Sequence, residues 1–114
     1  MIHDEKGIAV QDYAFNVTTP LGFDVHCTTA NWRFISEVKH PVLAGHMDRI
    51  ISALQEPDEV RRSTKDPDVY LFYSGKTPRW MCAITKREGE SGFLVTAYPT
   101  DSMKIGESIW RKSE

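Results

Sequence analysis

The chain predicts an α+β fold: an N-terminal β-hairpin, two helices, and then a four-stranded antiparallel sheet with the helices on one face. Three observations predict it. The segment VLAGHMDRIISALQEP carries Leu43, Met47, Ile50, Ile51 and Leu54 at helical spacing, a stripe that needs a sheet to cover it. Four strand-like runs follow in succession, EVRRST, DVYLFYS, RWMCAITK and GFLVTAY, separated only by KDPD, GKTP and REGESG. Connections this short serve antiparallel neighbours and cannot serve parallel ones, so the four runs form a meander. The third observation is the strict alternation in FLVTAYPTD, which assigns Phe93, Val95 and Ala97 to a core and Leu94, Thr96 and Tyr98 to the opposite face.

Taken in order, residues 8–17, IAVQDYAFNV, and the run FDVHCTT form the hairpin, turning at Thr19, Pro20, Leu21 and Gly22 where proline and glycine favour reversal. Thr28 and Thr29 can cap a short helix that begins near Ala30 and directs Phe34, Ile35 and Val38 to one side. That helix ends early, because a residue before proline is pushed out of the helical region; His40, preceding Pro41, lies at a joint between helices. The second helix stops before Pro57. Lys104, Gly106, Glu107 and Trp110 belong to a tail that packs back along the sheet edge.

Length and composition bound the rest. The 114 residues, 40% hydrophobic, suit a single domain spanning 1–114, with 1–29 as a hairpin extension and 30–110 as the core. No apolar run approaches the roughly 20 residues of a membrane span, and MIHDEKGIAV lacks the basic-then-apolar order of a signal peptide, so a cytoplasmic protein without a membrane partner is expected. Fourteen Lys plus Arg face sixteen Asp plus Glu, so no global field would hold a polyanion and any nucleic-acid contact must be local. Cys27 and Cys82 occupy apolar positions of strand-like runs and read as buried structural thiols. His26 and Cys27 have no CxxC or HxxxH partners and there is no glycine-rich phosphate loop, which argues against a metal or a cofactor.

Helices on one face leave the other free to form a cleft, and alternation names its lining. With Val60 in the core, Arg61 and Ser63 point to the free face; Lys86 shares a face with Trp80, Cys82 and Ile84; the last strand adds Thr96 and Tyr98. His46, at the margin of the helical stripe, is explained by packing.

The ordered set KHPVLAG, ALQEPDEVRRS, DPDVYLFY, WMCAITK and FLVTAYPTD, with Lys104, Gly106, Glu107 and Trp110, resembles the phage-associated branch of the barnase, EndoU, colicin D and RelE-like (BECR-fold) nucleases, over roughly residues 32 to 110. The resemblance implies the same helix pair and four-stranded sheet, and a toxin-like enzyme that cuts RNA, tRNA or mRNA, without a metal. It implies an antitoxin or immunity protein as a further partner. His40 matches the His-Pro position and becomes the acid or base, histidine being the side chain whose ordinary pKa suits that work. On the same footing Arg61 and Lys86 become a phosphate clamp, Thr96 and Tyr98 the row that positions substrate, and Ser63 and Lys104 further substrate contacts. The same family pattern also admits an inactive relative that binds RNA or a protein without cutting.

Overall fold

The computed structural model describes residues 12–113. Its strands are β1 (Tyr13–Thr18), β2 (Asp24–Thr28), β3 (Glu59–Arg62), β4 (Val69–Ser74), β5 (Trp80–Glu88), β6 (Ser91–Thr100) and β7 (Glu107–Arg111), and its helices are α1 (Thr29–Phe34) and α2 (Met47–Gln55). They form one seven-stranded mixed sheet in the order β1-β2-β6-β5-β4-β3-β7. The α+β class and the β3 to β6 meander are as the sequence predicts, but the four-stranded antiparallel sheet is not. The hairpin is no extension: β2 pairs parallel with β6 through Asp24↔Ser91, Val25↔Gly92 and His26↔Phe93, and the tail adds β7 against β3. The pattern of the hairpin fits this role, since Phe23, Val25 and Cys27 are all buried in the main core. The part of its first strand assigned to residues 8–11 lies outside the described residues.

Thr28 caps α1, its Oγ1 accepting from the Asn31 N–H at 3.1 Å. The buried residues of this helix are Trp32, Ile35 and Ser36, whereas Phe34 and Val38 are 51% and 65% exposed. Of the expected stripe of Phe34, Ile35 and Val38, only Ile35 is in the core; Trp32 rather than Phe34 supplies the large aromatic side chain. The helix continues into a wider π-helical turn over Ile35–Lys39, closed where the His40 N–H donates to the Ile35 carbonyl at 2.8 Å. Pro41 then opens a 3-10 turn ending at Leu43, and His40 stands at the joint, as the His-Pro step requires. Helix α2 starts only at Met47, since Gly45 with φ 79° interrupts the expected longer helix. It buries Ile50, Ala53 and Leu54 against the sheet, each large side chain contributing about 1.5–3 kcal/mol of apolar burial.

The sheet therefore has two unlike faces. Under α1 and α2 lie Phe15, Phe23, Val25, Val60, Tyr70, Phe72, Met81, Ala83, Leu94 and Ala97. The opposite face carries a smaller cluster, Leu71, Tyr73 and Cys82, against which Trp80, Ile84, Tyr98 and Met103 pack. Met103 reaches it because the chain must travel from β6 to β7. With antiparallel neighbours from β6 to β7, the two strands run in the same direction across four inter-strand spacings, about 19 Å. The connection, Asp101–Gly106, reaches about 24 Å when fully extended, and it crosses the open face as a strap with bends at Asp101, Ser102 and Ile105. At its far end the strap presses on β3: a Cβ added to Gly106 would lie 2.8 Å from the Arg62 carbonyl oxygen, a contact only glycine avoids.

Candidate functional site

The site grows from β6. The register against β5 shifts between Ile84↔Thr96 and Thr85↔Leu94, so Val95 is an extra, bulged residue. The bulge reverses the parity expected for FLVTAYPTD. Leu94 and Ala97 enter the main core, Val95 is 40% exposed, and Phe93 pairs with Lys86 on the side away from the helices. Thr96 and Tyr98 nonetheless keep their predicted place on the open face, because both lie beyond the bulge; Tyr98 packs in the small cluster beside Cys82.

Beyond Phe93, β6 has left β2, and Asn31 from α1 takes over one carbonyl of this edge by donating from Nδ2 to Leu94 O at 2.9 Å. The helical segment thus runs beside the free edge of β6 and brings His40 to Tyr98, with ring centroids 5.8 Å apart and the planes inclined at 40°. The strap supplies the third member, as Lys104 Nζ lies over the Tyr98 ring at 5.4 Å from its centroid. The strap is fixed from below, the Lys104 N–H donating to the Tyr73 hydroxyl at 2.9 Å and the Lys104 carbonyl accepting from Arg61 Nη1 at 2.8 Å.

The electrostatics follow from this packing. The contact with Tyr98 raises the Lys104 pKa above that of a free lysine, so its ammonium stays charged throughout the neutral range. Burial raises the Tyr98 phenol, and pushes the Cys82 thiol beneath it up to about 11, so both are neutral and neither is a nucleophile at neutral pH. The Tyr98 hydroxyl and Thr96 Oγ1 are both buried without a partner at hydrogen-bonding geometry, although Lys104 lies close enough to Tyr98 to perturb it. The two hydroxyls lie one same-face step apart on the strand, both shielded from solvent beneath the strap.

The proposed phosphate clamp does not converge on this place. Lys86 is on the open face as expected, but its row, Lys86↔Phe93, lies four residues along β5 from Cys82↔Tyr98, about 13 Å away. Its ammonium is paired with Asp66 at 3.1 Å. Arg61 is separated from Thr96 by the row Leu71 and Ile84, three strand spacings or about 14 Å. Its Nε meets Glu59 Oε2 at 2.5 Å. Ser63 accepts from the Lys65 and Asp66 N–H groups and holds the β3–β4 turn. His46 is exposed at the start of α2, so packing does not account for it and it faces solvent.

The sequence therefore identifies His40, Thr96, Tyr98 and Lys104 as candidates that the structure gathers, and Arg61, Lys86 and Ser63 as candidates that it disperses. It misses Tyr73 and Met103, which hold the strap. The signal for Tyr73 is present in VYLFYS, where alternation puts Val69, Leu71 and Tyr73 on one face; without the crossing strap nothing marks that hydroxyl as a support.

Among the described residues, no three His, Cys, Asp or Glu side chains are grouped to hold a metal ion, and no helix is long and apolar enough to cross a membrane. Comparison with known proteins returns no matching family model, no matching curated protein and no matching solved structure, so the nuclease resemblance rests on the ordered motifs alone.

Proposed function

We propose that the protein is a metal-independent endoribonuclease of the BECR type, acting on RNA in the cytoplasm as a toxin-like element held in check by an antitoxin or immunity protein. The single observation that carries this reading is the convergence of His40, Tyr98 and Lys104 at the free edge of β6. Cleavage needs a group that takes the proton of the ribose 2′-hydroxyl as its oxygen attacks phosphorus, a group that protonates the departing 5′-oxygen, and charge to balance the pentacoordinate phosphorus. His40 takes the proton of the 2′-hydroxyl, and solvent water gives a proton to the departing 5′-oxygen. Lys104, held over the Tyr98 ring, supplies the balancing cation in place of Arg61 and Lys86, and Thr96 and Tyr98 form the strand surface that positions it. The products are a 2′,3′-cyclic phosphate and a 5′-hydroxyl.

The test is incubation of the purified protein with mixed RNA in EDTA, beside His40→Ala. Loss of at least about a hundredfold in rate is expected from removal of an acid–base group; unchanged cleavage in the variant removes the role of His40. The second reading, an inactive relative that binds RNA or a protein, is favoured by one observation: Arg61 and Lys86 are already neutralised by Glu59 and Asp66. It predicts RNA retention without cleavage and expression tolerated by the host, where a nuclease arrests growth.

A further inference from the structure

Next to the strap, on the open face, lies a cavity of about 530 Å³ that adjoins the Tyr98 site through Lys104. Its floor is branched and aliphatic, Val69, Leu71 and Ile84, and its rim carries Ser63, Lys65 and Lys104. Ile105, the strap residue at its mouth, is 92% exposed, an apolar side chain with no intramolecular partner to justify it. An apolar floor with a few convergent polar groups, in the volume range of small-ligand sites, takes a flat apolar body bearing an anion. Lys104 lines this cavity and also lies over the Tyr98 ring, so one ammonium joins the two places. The register gives their separation: Tyr98 lies two residues and one strand spacing from Ile84, about 8 Å, and two residues and two strand spacings from Leu71, about 12 Å, the reach of a nucleotide from its phosphate to its base.

We infer that this cavity is a nucleotide subsite, taking the base of the nucleotide next to the phosphate held at Tyr98 and Lys104. The base lies on Val69, Leu71 and Ile84 with Ile105 closing over it, and Lys65 and the Ser63 hydroxyl face the sugar-phosphate. The choice of a nucleotide as ligand rests on the ribonuclease reading; the existence of an amphipathic anion pocket does not.

The experiment is a methyl NMR titration of the full chain with each of the four nucleoside 3′-monophosphates, with inorganic phosphate as the control. Saturable shifts of the Leu71 and Ile84 methyls are expected with at least one nucleotide. The affinity should fall at least about tenfold in Ile105→Asp and in Lys65→Ala. Both positions are exposed, so both variants should fold, which thermal unfolding checks. No shift with any nucleotide, or shifts that inorganic phosphate reproduces in full, overturns the subsite. The two readings separate cleanly: nucleotide binding without RNA cleavage supports the subsite and sinks the nuclease, while His40-dependent cleavage without nucleotide binding does the reverse.

Discussion

The two faces of this sheet are built from the same strands yet solved differently. On the helix-covered face, α1 and α2 lay preformed apolar stripes on a continuous core, and Ile50, Ala53, Leu54, Phe72 and Ala83 are wholly buried. On the other face a single extended strap, Asp101–Gly106, covers Leu71, Tyr73 and Cys82 with one large apolar side chain, Met103. The strap answers some of the polar groups under it, the Tyr73 hydroxyl among them, and leaves others. The result is visible in Thr96 and Tyr98, whose hydroxyls are buried without partners beside Lys104. One face secures the fold, and the other keeps unfilled donors next to a histidine.

The sharpest test of that contrast is Leu54→Ala. It should cost about 2–5 kcal/mol in urea unfolding, because α2 cannot close over the cavity; a loss below about 1 kcal/mol would mean the helix face is not the main source of stability. Next is Tyr73→Phe, which removes the acceptor of the Lys104 N–H. A loss of about 1 kcal/mol is expected, together with faster amide exchange confined to residues 101–106. Uniform acceleration over the whole sheet would show that the strap is not a separate unit.

Thr96→Val should act in the opposite sense. Replacing an orphaned buried hydroxyl by a methyl should be neutral or stabilise by up to about 1 kcal/mol in urea unfolding. A destabilised variant would mean that Thr96 has a partner after all. The smallest effect is expected for Lys86→Ala, which breaks a surface pair and should leave the thermal midpoint at pH 7 within error. Asp66 is held below the usual aspartate range first by the Asp68 N–H and then by Lys86. With its folded pKa lowered, its contribution is present above the ordinary aspartate pKa and disappears as pH falls through the lowered value. Any difference between parent and variant should therefore vanish in acid, and a difference that grows below pH 4 contradicts the pairing.

Much of the fold is legible in local pattern. Alternation in β3 to β6, the stripe of α2 and the short turns between strands are sufficient for the meander and its covering helices. The errors have particular causes. Phe34 and Val38 share a helical spacing with Ile35, but which residues of a short helix face the core depends on how it leaves the hairpin, and that exposes both. Val95 fits the alternation and is in fact a bulge, a feature set by pairing with Thr85 and Ile84 rather than by its own residue type.

What the sequence determines by itself is whatever is decided within one turn of chain: that His40 ends a helix before Pro41, that Thr28 caps, that Thr96 and Tyr98 share a face. The tertiary structure alone decides which of these meet. Pairing across distant segments, β2 with β6 and β7 with β3, is chosen by the burial of whole faces, and no local pattern encodes it. That choice leaves the outer edge of β6 open to His40 and sends the strap over Tyr98. It also keeps Arg61 three strand spacings from Thr96 and Lys86 four residues along β5 from the row of Tyr98, because register along a sheet is rigid once its core is packed.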